Sequence, residues 1–340
     1  MNMAVPAGWY ASRLRQELIL RNRCFARGRA HVESYGSTPV VVYEPEDGRH
    51  GNFFDNSYAV IAAYPDWMRR FDKIHAQAAR SLPKPKLELT RRWRELDSSM
   101  SSDALLMNIF CAPDVAESAS VRRALGIDDL SPLTLPTFGW KARVPLANGR
   151  FDRTEVDMRL GSLLVEAKLT EVEFQSRSAA IVEAYRDFDA VFDRDLLPHV
   201  EIATNRWVRA SEFPENESQE LESIIGDPAS YSAIDSSFRA PGEEGYASYQ
   251  LIRNVLAAHA EGCSFCVLHD ERRPDLREEW FQVMAAVRTA AMRVRLKVLT
   301  WQELAGLLPA QLQEFLDVKY GIAAPGKTPS PIDGLRESAD

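Results

Sequence analysis

R-T-E-V-D-M-R-L-G-S-L-L-V-E-A-K-L-T-E, residues 153–171, is the stretch on which the reading of the whole chain depends. Val156, Met158 and Leu160 alternate with Glu155, Asp157 and Arg159, which is the period of a half-buried strand. Gly161-Ser162 separates that run from a second one, Leu163 to Leu169, apolar enough for a central strand. A two-residue Gly-Ser link signals a tight β-hairpin, because glycine supplies the positive φ of the first turn position. The register then follows. Leu160 faces Leu163, Arg159 faces Leu164, Asp157 faces Glu166 and Glu155 faces Lys168.

That register sets two carboxylates across from each other, with Cβ atoms about 5 Å apart, where like charges weaken strand pairing. A raised pKa, an arginine or a divalent cation would offset the repulsion. A hard cation with oxygen ligands suits this donor set best. Lys168 lies two residues after Glu166 and projects from the same strand face. Asp followed by Glu-x-Lys on the next strand is a minimal set for metal-assisted phosphodiester hydrolysis. The carboxylates hold Mg²⁺ (or Mn²⁺), the metal acidifies a water, and the lysine positions that water or stabilises transition-state charge. The bland alternative is a surface hairpin with a Glu155–Lys168 ion pair.

At these positions the sequence resembles the PD-(D/E)XK nuclease superfamily. Asp157, eight intervening residues and Glu166-Ala167-Lys168 match its signature, with Val156 standing where a proline often precedes the aspartate. S-S-D-A-L-L-M-N-I-F, residues 101–110, is similar to the segment that precedes the core in a bacterial, restriction-endonuclease-like branch. The resemblance implies an α/β fold with an αβββαβ core, a mixed sheet flanked by helices. It implies Mg-dependent hydrolysis of DNA, with RNA left open, by a restriction-type or repair and defence endonuclease. Asp157, Glu166 and Lys168 would be catalytic, and Asp103, on the helix before the sheet, would join Asp157 and Glu166 around the metal. Asn108 is the second candidate on that helix. Relatives of the recombination type carry a Gln on the helix after the insertion, with a Tyr four residues on. Here Gln250 takes the first place and Asn254 the second, and Arg253 shares their flank. Gln250, Arg253 and Asn108 are therefore the expected substrate contacts. Many relatives act as dimers, so a homodimer is a further expectation, although no interface is legible. A catalytically inactive nucleic-acid-binding module on the same fold is the competing expectation.

The 340 residues carry a net charge of −8, which argues against a uniformly basic DNA-binding surface. The charge is uneven, however. Residues 1–94 hold 16 Lys/Arg against 9 Asp/Glu, an excess of +7, so the remainder carries −15. The basic excess lies in Arg13–Arg29 and Arg69–Arg94, where Arg91-Arg92-Trp93-Arg94 interleaves an aromatic with cations. Such asymmetry is the footprint of a local polyanion-binding surface on an acidic protein. Residues 211–245 hold nine acids and only Arg239 as a base, a surface that would repel DNA and belongs away from it or on a lid.

The expected organisation is a basic helical extension over 1–96, the core over 97–320 with an acidic insertion at 171–245, and a disordered Pro-, Gly- and Ser-rich tail over 321–340. Periodicity predicts helices over 8–30, 103–110, 246–260 and 275–292, a helical stretch carrying Ile181, Tyr185, Phe188 and Phe192 on one face, and strands at 138–146, 264–269 and 295–300. No apolar run approaches the roughly 20 residues that span a bilayer. Four cysteines give no disulfide framework, so a cytoplasmic location is the expectation. Cys263-x-x-Cys266 is a single pair opening a buried strand, where cysteine serves as a small core residue. The six histidines form no His-x-x-x-His pair, and there is neither a phosphate loop nor a Gly-x-Ser-x-Gly elbow.

Overall fold

The computed structural model describes residue 6 and residues 8–34, 39–73, 94–127, 134–202, 207–209, 237–239 and 242–332. Arg91-Arg92-Trp93 of the basic run and most of the acidic stretch 211–245 lie outside the described residues.

The hairpin sits inside a five-stranded sheet. Its strands are β1 (Thr137–Lys141), β2 (Glu155–Leu160), β3 (Leu163–Ala167), β4 (Ser264–His269) and β5 (Leu296–Thr300), in the spatial order β5-β4-β3-β2-β1. β1, β2 and β3 are antiparallel neighbours, while β3, β4 and β5 run parallel. The expected register holds where the ladder forms, with Leu160 opposite Leu163, Arg159 opposite Leu164 and Met158 opposite Val165. Gly161 takes a φ of 59°, the left-handed value the turn demands. β3 is buried along its whole length, as a strand flanked on both sides must be.

Helices cover both faces. On one side lies α3 (Ser102–Phe110), following α1 (Trp9–Phe25) and α2 (Asp55–Ala63) in the chain. Every residue of α3 is buried, and the Ser101 hydroxyl caps it by accepting the Ala104 N–H at 3.1 Å. Leu105, Ile109 and Phe110 share a core with Met158, Leu160, Leu163, Val165 and Leu268. On the other side lie α4 (Tyr249–Glu261) and α5 (Pro274–Ala286), whose Leu251, Val255, Leu276 and Trp280 pack with Leu164, Phe265 and Val267. α6 (Trp301–Ala305) and α7 (Ala310–Tyr320) close the first face with Trp301, Leu304, Leu312 and Leu316. The chain is thus α/β, with a mixed sheet between helical layers.

Several sequence expectations need correction. The stretch carrying Ile181 and Phe188 is not one helix but two short ones, Ala179–Val182 and Phe188–Val191. Between them the backbone turns to its neighbour: Ala147 N–H donates to the Ala184 carbonyl and Arg186 N–H to that of Pro145. The strand expected over 138–146 ends at Lys141, and Val144–Pro145 pairs instead with Phe151–Asp152. The helix expected to reach Met292 ends at Ala286. The tail is ordered as far as it is described, to residue 332. Ile322 is fully buried, Ser330 donates to Asp317 from both its amide and its hydroxyl, and Arg21 donates to the Ser330 carbonyl.

The N-terminal region is tied to α7 by a buried lysine. Lys319 has no exposed surface. Its ammonium donates to the amide oxygens of Asn22 (2.8 Å) and Asn52 (2.7 Å) and lies over the rings of Tyr43, Tyr320 and Phe25. Burial, with Arg29 nearby, holds its pKa well below the ordinary lysine value.

Candidate active site

The end of β3 is locked before any side chain is considered. The Lys168 amide donates to the Leu268 carbonyl at 2.8 Å, and the Trp301 indole donates to the Lys168 carbonyl at 2.9 Å. This fixes the direction in which Glu166 and Lys168 project. Glu166 is 3% and Lys168 4% exposed. The Lys168 ammonium donates to Glu166 Oε1 and to Gln250 Oε1, each at 2.8 Å. The second Glu166 oxygen accepts from Asn254 Nδ2 at 2.8 Å. Gln250 and Asn254 are one turn apart on α4, so a single helix face brings both amides to the hairpin.

Asp157 completes the pair. Its Oδ2 accepts the Ala167 N–H at 2.7 Å, which draws the carboxylate toward the residue between Glu166 and Lys168. Burial, reinforced by the nearby charges of Glu166 and Asp103, holds its carboxyl well above the ordinary value. Glu166 is thus one of the neighbours that disfavour the charged form of Asp157, after burial. Burial alone would lower the pKa of Lys168, but Glu166, Glu171 and Asp157 outweigh it and keep the ammonium charged. Lys168 does not face Glu155 in an ion pair; Glu155 is bonded to Arg70 instead.

The other expected site residues divide. Gln250 reaches the centre. Arg253 is engaged within the protein: it is 1% exposed, with Nε on Asp152 Oδ2 at 3.2 Å, one Nη on the Thr154 carbonyl, and the other on Asn254 Oδ1 at 2.8 Å. That last bond has a consequence. It assigns oxygen to the side of Asn254 facing Arg253, and so leaves the NH₂ group to face Glu166. Asn108 is likewise engaged within the protein. It is fully buried and knits α3 to the segment before α2, accepting from the Phe54 amide at 2.6 Å and donating to the Asn52 carbonyl at 3.0 Å. Asp103 is close to the carboxylate pair, but its Oδ2 is taken by Arg70 Nη2 (2.8 Å) and Lys73 Nζ (3.0 Å). In this structure Asp103 anchors both cations. Neither Arg70 nor Lys73 was singled out by sequence spacing. Their only signal was membership of the basic stretch beginning at Arg69.

The donor chemistry fits a single hard cation at Asp157 and Glu166. The two carboxylates are close enough to raise one pKa, Lys168 supplies the only cation hydrogen-bonded to Glu166 among the described residues, and Asp157 has one oxygen beyond the bond to Ala167. Among the described residues, no group of three or more His, Cys, Asp or Glu side chains is arranged to hold a metal. Any cation here would rest on two carboxylates and on non-carboxylate oxygens. The cysteines offer no alternative. None of the four forms a disulfide among the described residues, and burial pushes Cys266 up to about 12.

With this geometry in place, the family can be stated. A family model described as Restriction Endonuclease associating with ARP matches residues 20–321. The chain belongs to this family. The match runs from α1 through α7, so the REase-ARP unit includes the N-terminal region that supplies Arg70 and Lys73 as well as the sheet. No curated protein and no solved structure matches the chain. No helix among the described residues is long and apolar enough to cross a membrane.

Proposed function

We propose that the chain is a metal-dependent nuclease of the PD-(D/E)XK type that hydrolyses phosphodiester bonds in DNA. The observation that carries this reading is the constellation at the end of the hairpin: half-buried Asp157 near buried Glu166, with the Lys168 ammonium bonded to Glu166 and held by Gln250. Membership of a restriction-endonuclease family supports it independently.

Asp157 and Glu166 would hold Mg²⁺ or Mn²⁺, which when bound would acidify a water and neutralise charge on a phosphate. The rest of the chemistry belongs to the protein. Asn254 donates to Glu166 and fixes the plane of its carboxylate, and Arg253 fixes which way Asn254 points. Lys168 is held as a cation and, with Gln250 as its second anchor, has a defined position from which to orient a nucleophilic water or stabilise developing negative charge. The enclosed setting makes each of these charges count for more than it would in water.

One observation favours a second reading, a nucleic-acid-binding module without turnover. Both oxygens of Glu166 already have donors, and Lys168 is almost wholly enclosed. Plasmid cleavage with Mg²⁺ or Mn²⁺ separates the two. The nuclease reading expects cleavage that is abolished by chelation and reduced at least about 100-fold by Asp157→Ala or Lys168→Ala. Cleavage that survives both substitutions would overturn the assignment, and metal-indifferent DNA binding without cleavage would establish the module.

A further inference from the structure

We propose that Lys73, presented by the N-terminal region and anchored on Asp103, is a contact for a nucleic-acid phosphate at the mouth of the site. This rests on the nuclease reading for its catalytic consequence, but the contact itself is argued from the arrangement of the cations.

Two cations from one short segment, Arg69–Asp72 with the residue that follows it, converge on α3 and the hairpin. Arg70 is the inner one. It is 11% exposed and bridges Asp103 (2.8 Å) and Glu155 (3.4 Å). Its guanidinium lies directly over Gly139, where a methyl group would collide with Nη1. Gly139 has a φ of 65° and stands across from Asp157, at the point where the β1–β2 ladder skips a pair. The strand is thus shaped to let a guanidinium pass close beside the carboxylate pair. With both ends engaged, Arg70 is a positioning residue: it holds the Asp103 carboxylate in place.

Lys73 is the outer cation, and its surroundings differ. It shares Asp103 Oδ2 with Arg70, yet its side chain is 42% exposed. An ammonium has three donors, and Asp103 occupies one. Its backbone carbonyl accepts the Glu95 N–H at 2.8 Å, so the chain on either side of the long connection is pinned at this point. Partial burial works against its charge, but Asp103, with a smaller contribution from Asp157, outweighs that and keeps the ammonium charged. A cation that is anchored, partly open to solvent and adjacent to a carboxylate pair is placed to receive an oxyanion that approaches that pair. Asp103, in the position expected of a third metal-binding carboxylate, instead holds this cation. One protein cation would then take charge from the phosphate that a further metal ion would otherwise neutralise.

The test uses the full chain and the variants Lys73→Gln and Lys73→Arg. Duplex DNA binding is measured against KCl concentration without divalent metal, and single-turnover cleavage is measured with Mn²⁺. Wild type is expected to show a salt slope that falls by about one unit in Lys73→Gln, the change for one lost phosphate contact, and that is retained in Lys73→Arg. Single-turnover cleavage by Lys73→Gln is expected to drop about 10- to 100-fold at saturating DNA, with most of it restored by arginine. An unchanged slope in Lys73→Gln overturns the contact. An unchanged rate with a reduced slope overturns its part in turnover. If wild type fails to cleave at all, the nuclease reading falls, while the slope comparison still decides the phosphate contact.

Discussion

Asp157 is the residue at which the chemistry of the site is most exposed to measurement. A carboxyl whose folded pKa is raised binds its proton more readily in the native state than in the unfolded chain. The stability it contributes is complete below the ordinary value of 3.8 and is lost as pH rises through the raised folded value. Toward neutral pH the metal-free protein therefore bears the cost of a carboxyl whose charged form is disfavoured by burial and by the nearby Glu166 and Asp103 charges. Asp157→Asn removes the ionisable group and keeps an acceptor for the Ala167 amide. The expected result is a higher Tm than wild type near neutral pH without divalent metal, with the gap closing as pH is lowered toward 4. Identical melting curves at every pH would show that the Asp157 carboxyl bears no such cost. The pairing of Asp157 with Glu166-x-Lys168 was legible in the sequence because a two-residue turn leaves one register. The placement of Arg70 beside it was not, since 85 positions separate Arg70 from Glu155 and no local pattern links them.

At the scale of elements, the sequence was legible wherever the structure is local. The hairpin, α3 with its serine cap, α4, and strands β4 and β5 all stand close to where periodicity puts them. The failures share one cause: tertiary hydrogen bonds override local preference. The run around Tyr185 carries helical spacing, yet its backbone bonds to residues 145–147. Arg253 and Asn254 share a polar flank on which Arg253 reads as a substrate contact, yet both are buried and bonded to Asp152 and Glu166 inside. Asn108 reads as a site amide, yet it serves as a strut between α3 and residues 52–57. Asn108→Ala leaves the buried Phe54 amide and Asn52 carbonyl short of a partner. A loss of roughly 2–4 kcal/mol is expected in denaturant unfolding, with DNA affinity at 25 °C unchanged for the folded fraction. Unaltered stability with weakened DNA binding would return Asn108 to the role of a substrate contact.

Over the whole molecule, a chain of net charge −8 brings two cations of its N-terminal region, Arg70 and Lys73, to Asp103 beside the carboxylate centre. The N-terminal region is bound into the fold by the Lys319 cluster at one end and by the Arg70–Asp103–Glu155 bridge at the other. It is consistent with this that the family match begins within α1 rather than at the sheet. Sequence periodicity separated a basic extension from a core but carried no sign that the extension reaches the site, because that closure depends on the third dimension alone. The proposed nuclease function requires that Asp157 and Glu166 together hold a cation. The most direct measurement is anomalous diffraction from crystals soaked in Mn²⁺ at neutral pH. The account predicts an anomalous peak between the Asp157 and Glu166 carboxylates, lost in Asp157→Ala. Soaked crystals that show no peak there, with the two carboxylates sharing a proton or drawn onto protein cations, would contradict it.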